Sequence, residues 1–114
     1  MDTAPLAQII CRDAQSVTLQ LQLSPDLACF AGHFPDFPVL PGVVQVDWAL
    51  QLATTYLGVT ADGGIRLQVK HKRIVLPSSP LTLELRVDQP GRLRFSYRSA
   101  DVLVTEGSVV LVGL

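Results

Sequence analysis

The stretch that decides the fold reads Gly32-His33-Phe34-Pro35-Asp36-Phe37-Pro38-Val39-Leu40-Pro41-Gly42-Val43-Val44-Gln45-Val46-Asp47. Prolines at positions 35, 38 and 41 exclude a helix or a central strand before position 41, because proline lacks a backbone N–H and restrains its neighbours. Proline is favoured in the first turn of a helix. The sequence therefore predicts a helix that begins at Pro41 and Gly42, runs to about Leu57 and has Gly58 as its C-cap.

This helix is apolar on most of its surface. One face is formed by residues at three- and four-residue steps, which are Val43, Val46, Leu50, Ala53 and Leu57. Val44, Trp48 and Ala49 widen that face, so the helix is predicted to lie in the centre of the molecule. Trp48 is expected in the core or in the wall of a tunnel.

Alternation of apolar and polar residues predicts strands in the rest of the chain. The predicted strands cover residues 6–11, 16–23, 65–76, 81–88, 92–98 and 102–112. Strands, one long helix and then a meander predict an α+β fold in which a mostly antiparallel sheet wraps one helix. With 114 residues, the chain is expected to form a single domain, 1–114.

Composition excludes several classes of protein. The formal net charge of −1 argues against nucleic-acid binding over the whole surface. No apolar run approaches a membrane span, and Asp2 stands where a signal peptide carries Lys or Arg, so a cytoplasmic protein without membrane contact is expected. The two cysteines, Cys11 and Cys29, are expected as reduced core residues. The mean hydropathy of +0.36 suggests apolar surface covered by another copy of the chain.

Three groups in the decisive stretch have chemical potential. His33 has the residue type of a general base near neutral pH, and its Phe and Pro neighbours would keep it dry. Asp47 lies among apolar helix neighbours, where burial would favour a protonated carboxyl, and Gln51 could hydrogen-bond it from one turn later. The N–H of Gly42 lies in the first helical turn, where donors lack intrahelical partners. Each residue also has a simpler interpretation. His33 could be a turn histidine, Asp47 a solvent-facing acid and Gly42 only the start of the helix.

The segments Phe30–Pro35 and Pro38–Val43, with Asp47 and Gln51, resemble the 3-hydroxyacyl-[acyl-carrier-protein] dehydratases of hotdog fold. The resemblance is strong from Leu23 to Gln51 and extends to Lys72–Val75. Within the family, the sequence resembles most a compact branch that belongs to aryl-polyene pathways. Pro77-Ser78-Ser79-Pro80 replaces the usual Pro-Gly-Asp of the family.

The resemblance implies that a (3R)-3-hydroxyacyl thioester, carried on an acyl carrier protein, loses water to become a trans-2-enoyl thioester. His33 would be the base, oriented by the Val39 carbonyl, and Asp47 the acid, contributed by the neighbouring subunit of a homodimer. Gly42 would bind the thioester oxygen and Gln51 would support the carboxyl. Phe34 and Pro41 would support substrate binding. No metal and no cofactor are implied, and dimers could assemble further.

Two other functions remain open from the sequence. A hotdog acyl thioesterase would use the acid to activate water, and a non-catalytic partner subunit would bind the carrier protein without turnover. The cluster Lys70-His71-Lys72-Arg73 could attract an acidic carrier protein or could simply be a solvated strand end. Acyl chain length, aryl or alkyl preference and double-bond isomerisation do not follow from the sequence.

Overall fold

The computed structural model describes residues 5–23, 40–59, 65–76, 80–89 and 91–111. Six strands and one helix follow one another along the chain: β1 (Ala7–Arg12), β2 (Ser16–Leu21), α1 (Gly42–Leu57), β3 (Ile65–His71), β4 (Leu81–Gln89), β5 (Arg92–Ser99) and β6 (Val102–Leu111). The strands form one antiparallel sheet in the order β1-β2-β4-β5-β6-β3. The predicted α+β architecture is confirmed.

The core lies between α1 and the inner face of the sheet. Alternate residues of β2, β4 and β5 are buried, as the sequence pattern predicts, and Leu83 on β4 and Leu93 on β5 are both fully inaccessible. Trp48 of α1 is also fully buried against this face. Burial of a large aliphatic side chain contributes about 2 kcal/mol, so this layer of leucines and valines holds the helix on the sheet.

Both ends of α1 have the caps expected from the sequence. Pro41 is the N-cap in an extended conformation, and Gly58 adopts a left-handed conformation with φ of 68°. The Gly58 N–H donates to the helix carbonyls of Ala53 and Thr54. Arg12 reaches from β1 to donate a 2.8 Å hydrogen bond to the carbonyl of Tyr56 in the last turn. The helix is therefore attached to the sheet at its carboxyl end by an edge strand.

The rotation of α1 differs from the prediction. Val43, assigned to the buried face, is 73% exposed, whereas Gln45 is only 2% exposed. Since nearly every position in the first three turns is apolar, periodicity could not select the buried face. The polar partners of Gln45 on the sheet select it, as described below.

Two further expectations were wrong. Cys11 is exposed, because β1 is an edge strand whose residues after Ala7 face solvent in the single chain. The strand predicted over 65–76 ends at His71. The backbone N–H groups of Lys72 and Arg73 both donate to the carbonyl of Val104, beside the irregularity in the β5–β6 register, so the chain leaves the ladder there.

The chain turns between β5 and β6 at Ala100 and Asp101, both with positive φ. Cys29 and positions 77–79 of the segment Pro77-Ser78-Ser79-Pro80 lie outside the described residues. In the described part of the chain, no helix combines the length and the apolar character needed to cross a membrane.

Candidate active site

The amino end of α1 presents a backbone donor. Gly42 is the first residue of the helix, so its N–H has no intrahelical acceptor. Two later donors do find one, since the N–H groups of Val44 and Gln45, two and three residues further on, both donate to the carbonyl of Pro41. The helix dipole adds partial positive charge at this end. An oxygen that gains negative charge would be stabilised at the Gly42 amide.

Asp47 lies one turn further along the helix and is half-buried in the single chain. Gln51 donates a hydrogen bond from Nε2 to its Oδ2 over 2.7 Å, which confirms the predicted support from this residue. No other described residue donates to the Asp47 carboxyl. Among the described residues, Oδ1 of Asp47 therefore has no hydrogen-bond donor.

Val43, Asp47, Leu50 and Gln51 form one stripe along α1, here called the open stripe, whose side chains are exposed or half-buried. Val43 precedes Asp47 by one turn on this stripe and is 73% exposed, and Leu50 and Gln51 follow it half-buried. The expected burial of the Asp47 carboxyl is therefore only partial in one chain.

Gln45 of α1 and Thr105 of β6 form a buried polar pair between the helix and the sheet. The sequence pattern did not predict this pair. Gln45 and Thr105 are 2% and 0% exposed. The Thr105 hydroxyl donates to Gln45 Oε1 over 2.6 Å, and Gln45 Nε2 donates to the carbonyl of Leu40 over 3.2 Å. Both residues are polar side chains next to apolar residues, and this was the signal that could have identified them. Because burying a polar side chain without a hydrogen-bond partner is costly, such residues are expected to have partners in the core.

Tyr97 completes this group from β5. Its hydroxyl donates to the backbone carbonyl of Gln45 over 2.5 Å. Burial first, and the negative charge of Asp47 second, raise the pKa of Tyr97 well above its ordinary value. Tyr97 therefore stays a neutral donor that holds the first turn of α1.

The predicted site residues are only partly within the described residues. The structure brings Gly42, Asp47, Gln51 and the N-cap Pro41 together on one helix. His33, Phe34 and Val39 lie outside the described residues, so their predicted roles stay predictions. Trp48 is a core residue as expected, and its indole N–H has no hydrogen-bond partner within the described part of the chain.

The family model that describes the ApeI-like proteins, ApeI dehydratase, matches residues 9–108. Among curated proteins, the 3-hydroxyacyl-[acyl-carrier-protein] dehydratase FabZ of Ruminiclostridium cellulolyticum is 37% identical over 65 residues, which cover 51% of this chain and 46% of the relative. FabZ of Chlamydia pneumoniae is 27% identical over 100 residues, which cover 88% of this chain and 57% of the relative. The chain thus spans about half the length of these curated relatives.

Solved structures give the same answer for the fold. A chain of the dehydratase heterocomplex ApeI:P from Xenorhabdus doucetiae superposes with a TM-score of 0.83 and 30% identity, covering 95% of this chain and 97% of that one. Thioesterase superfamily member 2 from Mus musculus superposes with a TM-score of 0.70 at 10% identity, which shows the shared fold alone. The helix on a six-stranded antiparallel sheet is the predicted hotdog fold, and the match over residues 9–108 means that the chain belongs to the ApeI-like dehydratase family.

Proposed function

We propose that this protein removes water from (3R)-3-hydroxyacyl thioesters carried on an acyl carrier protein and releases trans-2-enoyl thioesters. The observation that carries the proposal is the Asp47 carboxyl, held by Gln51 over 2.7 Å on the open stripe of α1, five residues after a helix-opening glycine. An acid and an oxyanion donor on one rigid element are two of the three groups that elimination beside a thioester requires, and the third is a base.

Each group has one role in the proposed reaction. His33 removes a proton from C2 of the substrate, and the N–H of Gly42 stabilises the negative charge that develops on the thioester oxygen. The C3–O bond then breaks, and Asp47 supplies the proton with which the hydroxyl leaves as water. Gln51 holds the carboxyl in position through its hydrogen bond to Oδ2. No metal and no cofactor take part in these steps.

We propose that two copies of the chain build each site, with Asp47 supplied by one copy and His33 by the other. The open stripe supports this arrangement, because the 73% exposed Val43 beside Asp47 is a surface that a second chain would cover. Strand β3 supports it too, since among the described strands it pairs with β6 alone and lies at the edge of the sheet. The ApeI:P complex is a heterocomplex, so a related hotdog subunit is the second possible partner.

The carrier protein is the proposed source of substrate. Lys70, Lys72 and Arg73 are exposed where β3 ends, next to His71, whose ring contacts Gly42 at the amino end of α1. Positive side chains there would attract an acidic carrier and bring its tethered acyl group near Gly42. A single domain over 1–114 and a cytoplasmic location belong to the same proposal.

The deciding experiment follows a 3-hydroxyhexanoyl thioester of N-acetylcysteamine, and the same acyl group on a carrier protein, by mass spectrometry. The wild-type protein should form a product lighter by one water without releasing free thiol. Asp47→Asn should lower the rate by about 10² or more. Asp101→Asn makes the same chemical change in an exposed turn and should leave the rate unchanged. Free thiol in place of enoyl product would instead indicate a thioesterase, and carrier binding without turnover a partner subunit.

A mixing experiment tests the shared site. His33→Ala and Asp47→Asn proteins should each be inactive, and equal amounts allowed to exchange subunits should regain roughly a quarter of the wild-type rate, because half of the dimers are mixed and each has one intact site. Exchange is verified by mass spectrometry with one variant labelled with ¹⁵N. Exchange without recovery would contradict a site built from two chains.

A further inference from the structure

The ring of His71 lies directly against Gly42. A Cβ atom built on Gly42 would lie 2.6 Å from Nε2 of His71 and 2.8 Å from its Cε1, closer than real Cβ contacts. The last residue of β3 thus contacts the first residue of α1. This contact gives a physical reason for a glycine at position 42 that is independent of its amide.

The ring is held in place from its other side. His71 Nδ1 and Thr105 Oγ1 are 3.1 Å apart across the β3–β6 pair. A ring that moved away from a larger residue at position 42 would lose or strain this hydrogen bond. The His71 ring that contacts Gly42 is therefore less free to move than the end of a surface side chain normally is.

The Leu40 carbonyl determines which group donates in each hydrogen bond that joins His71, Thr105 and Gln45. The carbonyl of Leu40 can only accept, so Gln45 binds it through Nε2, and Gln45 Oε1 must be the acceptor for Thr105. Since the Thr105 hydrogen is used in that bond, its oxygen accepts from His71 Nδ1–H. The other ring nitrogen, Nε2, is the atom that faces Gly42.

His71, Thr105, Gln45 and Leu40 form a chain of three hydrogen bonds beside the first turn of α1. Leu40 in turn donates to the carbonyl of Val75 over 2.7 Å. Thr105 and Gln45 are buried, where hydrogen bonds have little competition from water. The chain thereby ties the ring that contacts Gly42 to β6 and to the residue before the N-cap of α1.

We propose that His71 is a positioning residue for the Gly42 amide. Its ring sets how closely the first turn of α1 approaches the sheet, and its bond to Thr105 fixes that ring. The inference rests on the proposed function, in which the Gly42 N–H stabilises the thioester oxygen. A misplaced amide would weaken binding of the developing oxyanion more than binding of the ground-state carbonyl.

The kinetic test separates the ring from its hydrogen bond. His71→Phe keeps the ring but loses the Nδ1 donor, and we expect kcat on the 3-hydroxyhexanoyl thioester to fall about tenfold with KM changed less than about twofold. His71→Asn keeps a donor near Nδ1, and we expect it to retain more of kcat than His71→Phe. Gln8→Ala, an exposed change on the opposite edge strand β1, should leave both constants unchanged.

A double-mutant cycle tests the contact itself. Gly42→Ala should lower kcat strongly in the wild-type background and by less than about threefold in a His71→Ala background, because the clash with the ring has gone. An equal fold-loss in both backgrounds would overturn the inference, as would a His71→Phe protein with wild-type kcat. His71 is exposed in the single chain, so these variants should fold, and thermal unfolding checks that they do.

The two proposals fail in different ways. A wild-type protein that forms no enoyl product overturns the proposed function and this inference together. An active wild type in which Asp47→Asn is inactive and His71→Phe is fully active overturns the inference alone.

Discussion

Gln51 donates a 2.7 Å hydrogen bond from Nε2 to Oδ2 of Asp47, one helical turn before it. The bond restrains the only acid of α1 without using both of its oxygens. It thereby orients the carboxyl toward the open stripe, where a second chain and a substrate would meet it.

Replacing Gln51 by leucine should lower kcat/KM about tenfold, because a hydrogen bond to a carboxyl group contributes about 1.5–3 kcal/mol and each 1.4 kcal/mol is a factor of ten. Gln22→Leu makes the same change at an exposed position after β2 and should have no effect. Steady-state kinetics on the hydroxyacyl thioester measures both. Equal activity of the two variants would remove Gln51 from the site.

Leu67→Glu should convert a dimer to single chains of 12.4 kDa and abolish activity. Leu67 is 41% exposed on β3, the edge strand proposed to pair with a second copy, and a buried glutamate there would be unpaired. Ile10→Glu, on the opposite edge strand β1 at 56% exposure, is the control. Analytical ultracentrifugation distinguishes the two edges, and loss of the dimer in Ile10→Glu alone would place the interface at β1.

Alkaline pH should destabilise the protein through Tyr97. Its pKa is raised above the ordinary value of 10.0 by burial and by Asp47, so the folded state holds the phenol proton more tightly than the unfolded state does. This stability is fully present below about pH 10 and falls as the pH rises beyond it. Urea unfolding between pH 8 and pH 11 measures the slope.

The matched variants for this slope are Tyr97→Phe and Tyr56→Phe. Tyr97→Phe should cost about 1 kcal/mol at neutral pH, since it loses the bond to the Gln45 carbonyl, and should flatten the decline above pH 10. Tyr56→Phe should keep the wild-type slope. An unchanged slope in Tyr97→Phe would mean that another group controls alkaline unfolding.

The turn between β5 and β6 can be improved. Ala100 and Asp101 have φ of 50° and 68°, values that glycine and asparagine adopt at lower cost than alanine. Ala100→Asn with Asp101→Gly should raise the free energy of unfolding by about 1 kcal/mol, with activity unchanged. Ala100→Pro should act in the opposite direction, because proline requires a negative φ. Thermal and urea unfolding give both signs.

Local patterns in the sequence were sufficient for the elements of the fold. Alternation in β2, β4 and β5 identified the inner faces, and Pro41 and Gly58 marked both ends of α1. These signals depend on backbone chemistry and on the period of the side chains, which is two residues in a strand and 3.6 in a helix. Both are properties of neighbouring residues and do not depend on the rest of the chain. The pair of Asp47 and Gln51 was predictable for the same reason, because residues four apart share a helix face.

Contacts between distant segments decided the rest. The rotation of α1, which exposes Val43 and buries Gln45, depends on Thr105 and Tyr97, 60 and 52 residues further along the chain. A nearly uniform apolar helix has no preferred face of its own, so the polar partners on the sheet select one. The meeting of His71 with Gly42 likewise exists only because β3 and β6 pair beside the helix. Local chemistry thus determined which elements form, and the cost of burying unpartnered polar atoms determined how they fit together.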